Sequence, residues 1–178
     1  MAKRLVLSGE RVVLRPYRDD ELDEAIQQAQ QAIAQVGGMP SRETLARRLE
    51  QSGLFVDGRL DLAVEAEGRL AGSIQARAPE RALPPGVCEL GIELAPDGRG
   101  RGYGTEAVGL LARHLLVHGY PRVQASTDVG NVAMRRALER AGFVFEGVLR
   151  AFMPDGEGRA DYALYALTAD APAVSLRR

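Results

Sequence analysis

Tryptophan is absent from this chain, and five tyrosines and four phenylalanines make aromatics only 5% of its 178 residues. Little aromatic surface is on offer for stacking a nucleobase or a drug ring. The single cysteine, Cys88, excludes an internal disulfide. With 23 basic and 24 acidic residues the net charge is -1, so the basic excess of a nucleic-acid-binding face is missing. No apolar run approaches the length of a membrane span and no signal-like segment stands near Met1, which points to a cytoplasmic protein without a membrane partner. Repeats and low-complexity linkers are lacking too, although the alanine-rich run 166–174 and the basic ending Leu176-Arg177-Arg178 are expected to fray. What is present is 46% hydrophobic residues, enough for one core that buries about 70% of the unfolded surface in a chain of this length.

The most informative stretch runs from Glu89 to Ala107. It reads as a strand, a glycine-rich turn and a helix start in one sequence. Glycines 98, 100, 102 and 104 leave backbone N–H groups unshielded, and the helix they open directs the positive end of its dipole into the turn. Arg99 and Arg101 add forked cationic donors, which suit a pyrophosphate. A P-loop is excluded because Gly102-Tyr103-Gly104-Thr105 lacks the Gly-Lys-Ser/Thr ending that reaches the outer phosphates and magnesium. The dinucleotide fingerprint fails as well, since Thr105 stands where a third glycine should follow Gly100 and Gly102, and the turn comes mid-chain.

Arg99-Gly100-Arg101-Gly102-Tyr103-Gly104 has the form Arg-x-x-Gly-x-Gly, behind a strand ending in Leu-Ala-Pro. That run resembles the acyl-CoA signature of the GNAT superfamily of N-acyltransferases. Gly9-Glu10-Arg11-Val12-Val13-Leu14-Arg15-Pro16 resembles the first strand of its ribosomal-protein N-terminal acetyltransferase branch. Asn131, Ala141-Gly142-Phe143, Glu146 to Arg150, Asp161-Tyr162 and Tyr165-Ala166-Leu167 resemble that branch's last helix and closing strands. The resemblance spans nearly the whole chain and implies a single acyl-CoA N-acyltransferase domain over residues 1–178. The implied fold is α/β in element order and α+β in detail. Its mixed, mostly antiparallel sheet is flanked by helices and splayed between the strands near 87–94 and 122–127.

Local patterns give the elements. A strand covers 10–16. Asp19 or Asp20 is placed to cap a helix with its apolar positions at Leu22, Ala25, Ile26, Ala29, Ile33 and Val36, ended by Gly37-Gly38. Ser41 starts a shorter helix with Leu45 and Leu49 on its face and Gly53 as its stop. Residues 60–66 and 70–76 alternate about Glu67-Gly68 as a hairpin, and Pro79, Pro84 and Pro85 mark a loop before the strand at 87–94. The helix from Gly102 to His118 buries Val108, Leu111 and Leu115 and ends at Gly119-Tyr120-Pro121. A strand at 122–127, a helix from Asn131 to Ala141 and strands near 143–152 and 159–168 complete the order.

Thioester aminolysis needs no enzyme nucleophile; its obstacle is the protonated amine. A lysine-type amine of pKa near 10.4 is about 0.04% neutral at pH 7, and an α-amino group near 8 about 10%. The resemblance implies acetyl-CoA as cosubstrate without a metal, with pantetheine and thioester along Ile92 to Leu94 and pyrophosphate on Gly100, Arg101, Gly102, Tyr103, Gly104 and Thr105, beside Arg99. Glu89 matches a glutamate that several family members use as base through a water. Period-2 alternation puts Glu89, Gly91 and Glu93 on one face and Leu90, Ile92 and Leu94 on the other, so Glu93 is the second candidate base. Asn131 is a helix N-cap that, on the family pattern, also touches pantetheine.

One departure is plain: the tyrosine that many members carry seven residues after the Asn, to protonate the leaving thiolate, is Leu138 here. Tyr162 and Tyr165 are weak substitutes that read better as core, and Tyr103 reads as a packing residue of the turn. His114 and His118 lie one helical turn apart without a third ligand, and Cys88 reads as a small hydrophobe rather than a nucleophile. The segment Arg18 to Gly53, with the loop around Met153 to Gly158, is expected to shape the acceptor pocket. Asp19, Asp20, Glu21, Asp155 and Glu157 there either attract a cationic acceptor or, as the better reading, are solvated loop charges. The acceptor is then a protein N-terminal amine, or a small amine such as a polyamine or aminoglycoside. The reading from another class is an acyl-CoA-binding regulatory domain without catalysis. A homodimer is the assembly left open.

Overall fold

A computed structural model describes residues 3–34, 40–79 and 83–169. The expected helix stop at Gly37-Gly38 and the tail from Asp170 lie outside them. Eight strands form one sheet in the order β1-β2-β3-β4-β5-β6-β8-β7. They are β1 (Leu7–Ser8), β2 (Val12–Arg15), β3 (Arg59–Ala66), β4 (Arg69–Arg77), β5 (Val87–Leu94), β6 (Arg122–Asp128), β7 (Val144–Asp155) and β8 (Gly158–Thr168). The described helices are α1 (Leu22–Ala34), α2 (Arg42–Glu50), α3 (Tyr103–Val117) and α4 (Val132–Arg140). Every neighbouring pair is antiparallel except β5 with β6. That parallel pair needs a crossover, and α3 supplies it.

Alternation sorts the sheet into two chemically different faces. Register aligns Leu60 with Ala76 and Leu90, and Leu62 with Ile74 and Ile92. This face packs on Ala107, Val108, Leu111 and Leu115 of α3, which are buried as the helical spacing predicts. Each large side chain fully removed from water there contributes about 1.5–3 kcal/mol. On the other face Ala63 packs with Tyr17, Ala25 and Ile26 and with Leu45 and Leu49 of α2. Beside this smaller cluster the aligned rows are polar: Asp61 with Gln75 and Gly91, then Arg59 with Arg77 and Glu89.

The sheet is splayed where the family resemblance implies it. β5 pairs with β6 only at Val87–Arg122, Cys88–Val123 and Glu89–Gln124. Beyond that row β5 continues against β4 as far as Leu94, and β6 against β8 as far as Asp128. The two strands part, leaving a V-shaped opening walled by backbone that has no ladder partner on that side.

Two expectations need correction. Neither Asp19 nor Asp20 caps α1: a 3₁₀ turn, Asp19–Glu21, precedes it, and the Glu21 carboxylate accepts the Arg18 N–H at 2.9 Å. Glu21 is not a loop charge either. It accepts two hydrogen bonds from Arg15, at 2.7 and 2.6 Å, while Arg15 Nε donates to Glu65 at 2.7 Å. Arg15 is only 8% exposed. The Met153–Gly158 segment, expected to help shape the pocket, forms the tip of the β7–β8 hairpin, with Asp155 opposite Gly158.

Candidate active site

At the top of the V stands the turn between β5 and α3. Gly102, the residue before α3, has φ +83°, a left-handed conformation that a side chain would strain. The chain therefore enters the helix in one sharp bend. No described group accepts the backbone N–H bonds of residues 100–105; the first helical bond is Glu106 N–H to Gly102 C=O at 3.2 Å. Consecutive unsatisfied donors at a helix N-terminus make an anion cradle. Gly104 is telling because the fold itself does not demand glycine there. A Cβ would meet only Leu94 Cδ1, at an ordinary 3.5 Å, and without one the backbone there is open to approach from outside.

The arginines of the turn are anchored on the protein. Arg99 Nε donates to the Leu94 carbonyl at 3.0 Å, which ties the turn to the end of β5. Arg101 lies 3.2 Å from Glu67, and Tyr103 donates to the same carboxylate at 2.9 Å. Tyr103 is only 6% exposed, as a packing residue of the turn should be. From the other side Arg11 donates to the Arg101 carbonyl at 3.1 Å, and Glu106 accepts the Arg11 N–H at 2.9 Å. Side chains from distant segments thus brace the cradle before any ligand arrives.

At the bottom of the V, Glu89 stands on the last row that joins β5 to β6. Arg77 Nη2 donates to its Oε1 at 2.6 Å and Gln124 Nε2 to its Oε2 at 3.3 Å. Glu93 lies further along β5, toward the cradle; its side chain is 53% exposed and its nearest cation, Arg99, is 3.9 Å away. Under α1 and α2 a cleft of about 290 Å³ opens on the same face, lined by Tyr17, Leu45, Arg48, Asp61, Gln75 and Glu93 among others. Arg59 closes part of its floor, donating to Asp61 at 2.6 and 2.7 Å and to Gln75.

The acetyltransferase (GNAT) domain family matches residues 11–144. This chain belongs to the GNAT acetyltransferase family. Among solved structures, a T. thermophilus protein assigned as an acetyltransferase is 30% identical, with a TM-score of 0.69 over 95% of this chain and 92% of that one. The ribosomal L7/L12 α-N-protein acetyltransferase RimL, solved with coenzyme A, is 16% identical, with a TM-score of 0.75 over 94% of this chain and all of its own. Mycobacterium smegmatis RimJ, solved with a coenzyme A disulfide, is 21% identical, with a TM-score of 0.71 over 89% and 82%. No curated protein matches the sequence.

Within this GNAT fold the remaining candidates fall into place. Asn131 caps α4, its Oδ1 accepting the Met134 N–H at 3.1 Å. Leu138, at the position of the usual tyrosine, is fully buried on α4. Tyr165 is also fully buried; its hydroxyl donates to Glu139 at 2.9 Å and accepts from Arg135 at 3.1 Å. Tyr162 packs against Phe152, and burial pushes its hydroxyl pKa above the ordinary range. Cys88 is buried and its thiol is pushed up to about 11 by desolvation, which suits a core residue and not a nucleophile. His114 and His118 stack at 4.0 Å, and among the described residues no group of three or more His, Cys, Asp or Glu could hold a metal ion.

Sequence reasoning missed the cleft residues contributed by β3 and β4. Their signal was present: Arg59 and Asp61, then Ser73, Gln75 and Arg77, recur at every second position of strands that lie inside the sheet. Polar alternation on central strands marks a face that is not buried against a core helix.

Proposed function

We propose that this chain transfers the acetyl group of acetyl-CoA to a primary amine. The observation that carries this reading is the row of unsatisfied N–H groups over residues 100–105 at the mouth of a splayed β5–β6 pair. Pyrophosphate sits on that cradle and pantetheine descends along Leu94, Glu93 and Ile92, where the β5 edge lacks a strand neighbour. The run from Leu94 to Glu89 is about 16 Å at strand rise, a length for an extended arm. It delivers the thioester toward the vertex, beside Glu89.

Glu89 takes the amine proton through a water, and Arg77 holds the carboxylate in place. The neutral nitrogen attacks the thioester carbonyl, the C–S bond breaks, and coenzyme A leaves as a thiolate that takes, through water, the proton shed by the acylated nitrogen. Leu138 provides no acid, and Tyr165 is engaged in the core. An oriented encounter of amine and thioester supplies several kcal/mol of the acceleration, on the order of the effect of proximity alone. Similarity to the α-N-protein acetyltransferase RimL supports an α-amino group as acceptor. Such an amine also demands least of the base.

A thiol-release assay with acetyl-CoA against N-terminal peptides, polyamines and amino acids tests the reading. Acetyl transfer to any of these supports it; tight coenzyme A binding with no transfer to any amine overturns it in favour of a binding domain.

A further inference from the structure

Burying part of a guanidinium removes water that only an anionic or polar partner can replace. Among the described residues, the other buried or half-buried arginines have such partners. Arg15 holds Glu21 and Glu65, Arg59 holds Asp61, Arg77 holds Glu89, Arg122 holds Glu146, and Arg135 donates to the Tyr165 hydroxyl. Arg48 differs. It projects from α2 into the cleft under α1 and α2, is half-buried there, and has no hydrogen-bond or ion-pair partner among the described residues.

Among the described residues, most charges around it are already paired. Arg59 and Asp61 neutralise each other, as do Arg77 and Glu89, and Glu93 lies toward Arg99. The wall beside Arg48 is aliphatic, with Ala25, Ala29, Leu45 and Leu49. An uncompensated, forked donor facing an otherwise neutral or apolar cleft fits a carboxylate or a phosphate. A cleft of about 290 Å³ lies at the small end of ligand pockets, suited to an acceptor about the size of an amino acid or a dipeptide.

Resting on the acetyl-transfer reading above, we infer that the acceptor is a small amphoteric molecule: an amine that carries an anionic oxygen group, which Arg48 binds while the amine faces β5. Arg48 is a specificity-determining residue, and the cleft selects amino-carboxylates or amino-phosphate esters over amines of the same skeleton without the anion.

Matched pairs test this by turnover and by binding. The amines are free amino acids against their amides, and aminoalkyl phosphates against the corresponding amino alcohols. The binding probes are the N-acetylated forms of each, titrated calorimetrically into the protein saturated with coenzyme A, so that amine protonation plays no part. The anionic member of the preferred pair should bind and turn over at least tenfold better. Arg48→Gln should remove that preference through KM rather than kcat, and Arg48→Lys should restore part of it, with both variants melting like the parent. The carboxylate and phosphate arms identify which anion is taken. Equal or better handling of the neutral members, an unchanged preference in Arg48→Gln, or no binding by any probe overturns the inference. Turnover of neutral amines without dependence on Arg48 leaves acetyl transfer standing and removes this inference alone. Arg48-dependent binding of the acetylated anions with no turnover of any amine does the reverse.

Discussion

Arg77 of β4 and Glu89 of β5 meet at 2.6 Å on the last register row before β5 and β6 part. The pair sets a carboxylate at the vertex of the opening, with one oxygen held by a cation and the other under a longer 3.3 Å contact from Gln124. A fixed carboxylate can order one water toward an incoming amine, and this arrangement generates the first prediction. Glu89→Gln should lower turnover by roughly two to four powers of ten with coenzyme A affinity near that of the parent. Because the amine itself deprotonates as pH rises, part of the loss should be recovered between about pH 7 and 9.5. Glu93→Gln is the control, and a large pH-dependent loss there with a normal Glu89→Gln would exchange the two roles.

The cradle can be tested where the fold is indifferent to the change. Gly104→Ala adds a methyl in ordinary contact with Leu94, so the variant should fold and melt normally. Coenzyme A should nonetheless bind at least tenfold more weakly to it, and Gly104→Asp, which adds a negative charge, should abolish binding measured by calorimetry. Gly102→Asp is expected to lose binding too, but its left-handed backbone makes it costly to the fold as well. Full affinity in a folded Gly104→Asp protein would remove the pyrophosphate from this turn.

Asn131 separates a cap from a contact. Asn131→Ala should cost about 1 kcal/mol in denaturant unfolding, and Asn131→Asp little, because the carboxylate can still accept the Met134 N–H. If the side chain also touches pantetheine, coenzyme A affinity falls in the Ala variant by more than the stability loss accounts for. An affinity equal to the parent's limits Asn131 to capping.

The Arg15 network gives a stability prediction with a pH sign. Its partners Glu21 and Glu65 have side chains only 11% and 16% exposed but keep Arg18, at 3.6 and 2.6 Å, as a second cation, so Arg15→Met should destabilise by about 1–3 kcal/mol, the cost of charge-assisted hydrogen bonds lost from half-buried carboxylates. Hydrogen bonding from Arg15 lowers the Glu21 pKa from its ordinary 4.5. A carboxylate whose pKa is depressed by folding stabilises fully above its unfolded pKa and loses that contribution as pH falls through the folded one. Thermal melts from pH 7 downward should therefore show the parent weakening below about pH 5, and Glu21→Gln, though less stable at pH 7, should show a shallower decline. Parallel curves would mean that Glu21 does not drive the acid response.

Much of this fold is legible in the chain because its signals are local. The β5 strand at 87–94, the cap at Ser41, the Asn131 cap and the start of α3 all follow from alternation, hydroxyl or amide caps and glycine within a few residues. The same holds for the cradle, since its donors are neighbours along the backbone and need only the bend at Gly102. The sequence likewise determined that Glu89 and Glu93 share a face, because a strand has a period of two.

What tertiary structure decided are the relationships between residues far apart in the chain. Whether Glu89 is free or held depends on Arg77 and Gln124, which only the β4–β5–β6 register brings to it. Glu67 reaches Arg101 and Tyr103 across more than thirty residues because the β3–β4 turn lies beside the cradle. Arg48 is one of several arginines on the polar side of α2 by sequence. Among the described residues it stands without a partner in a cleft that forms only when α1 and α2 pack over Ala63, where the partners of Arg59 and Arg77 are already taken. Periodicity fixes which way a side chain points from its own element; which charges meet is set by the packing of elements against one another, and pairing falls off so steeply with distance that a shift of one strand row would rewrite it.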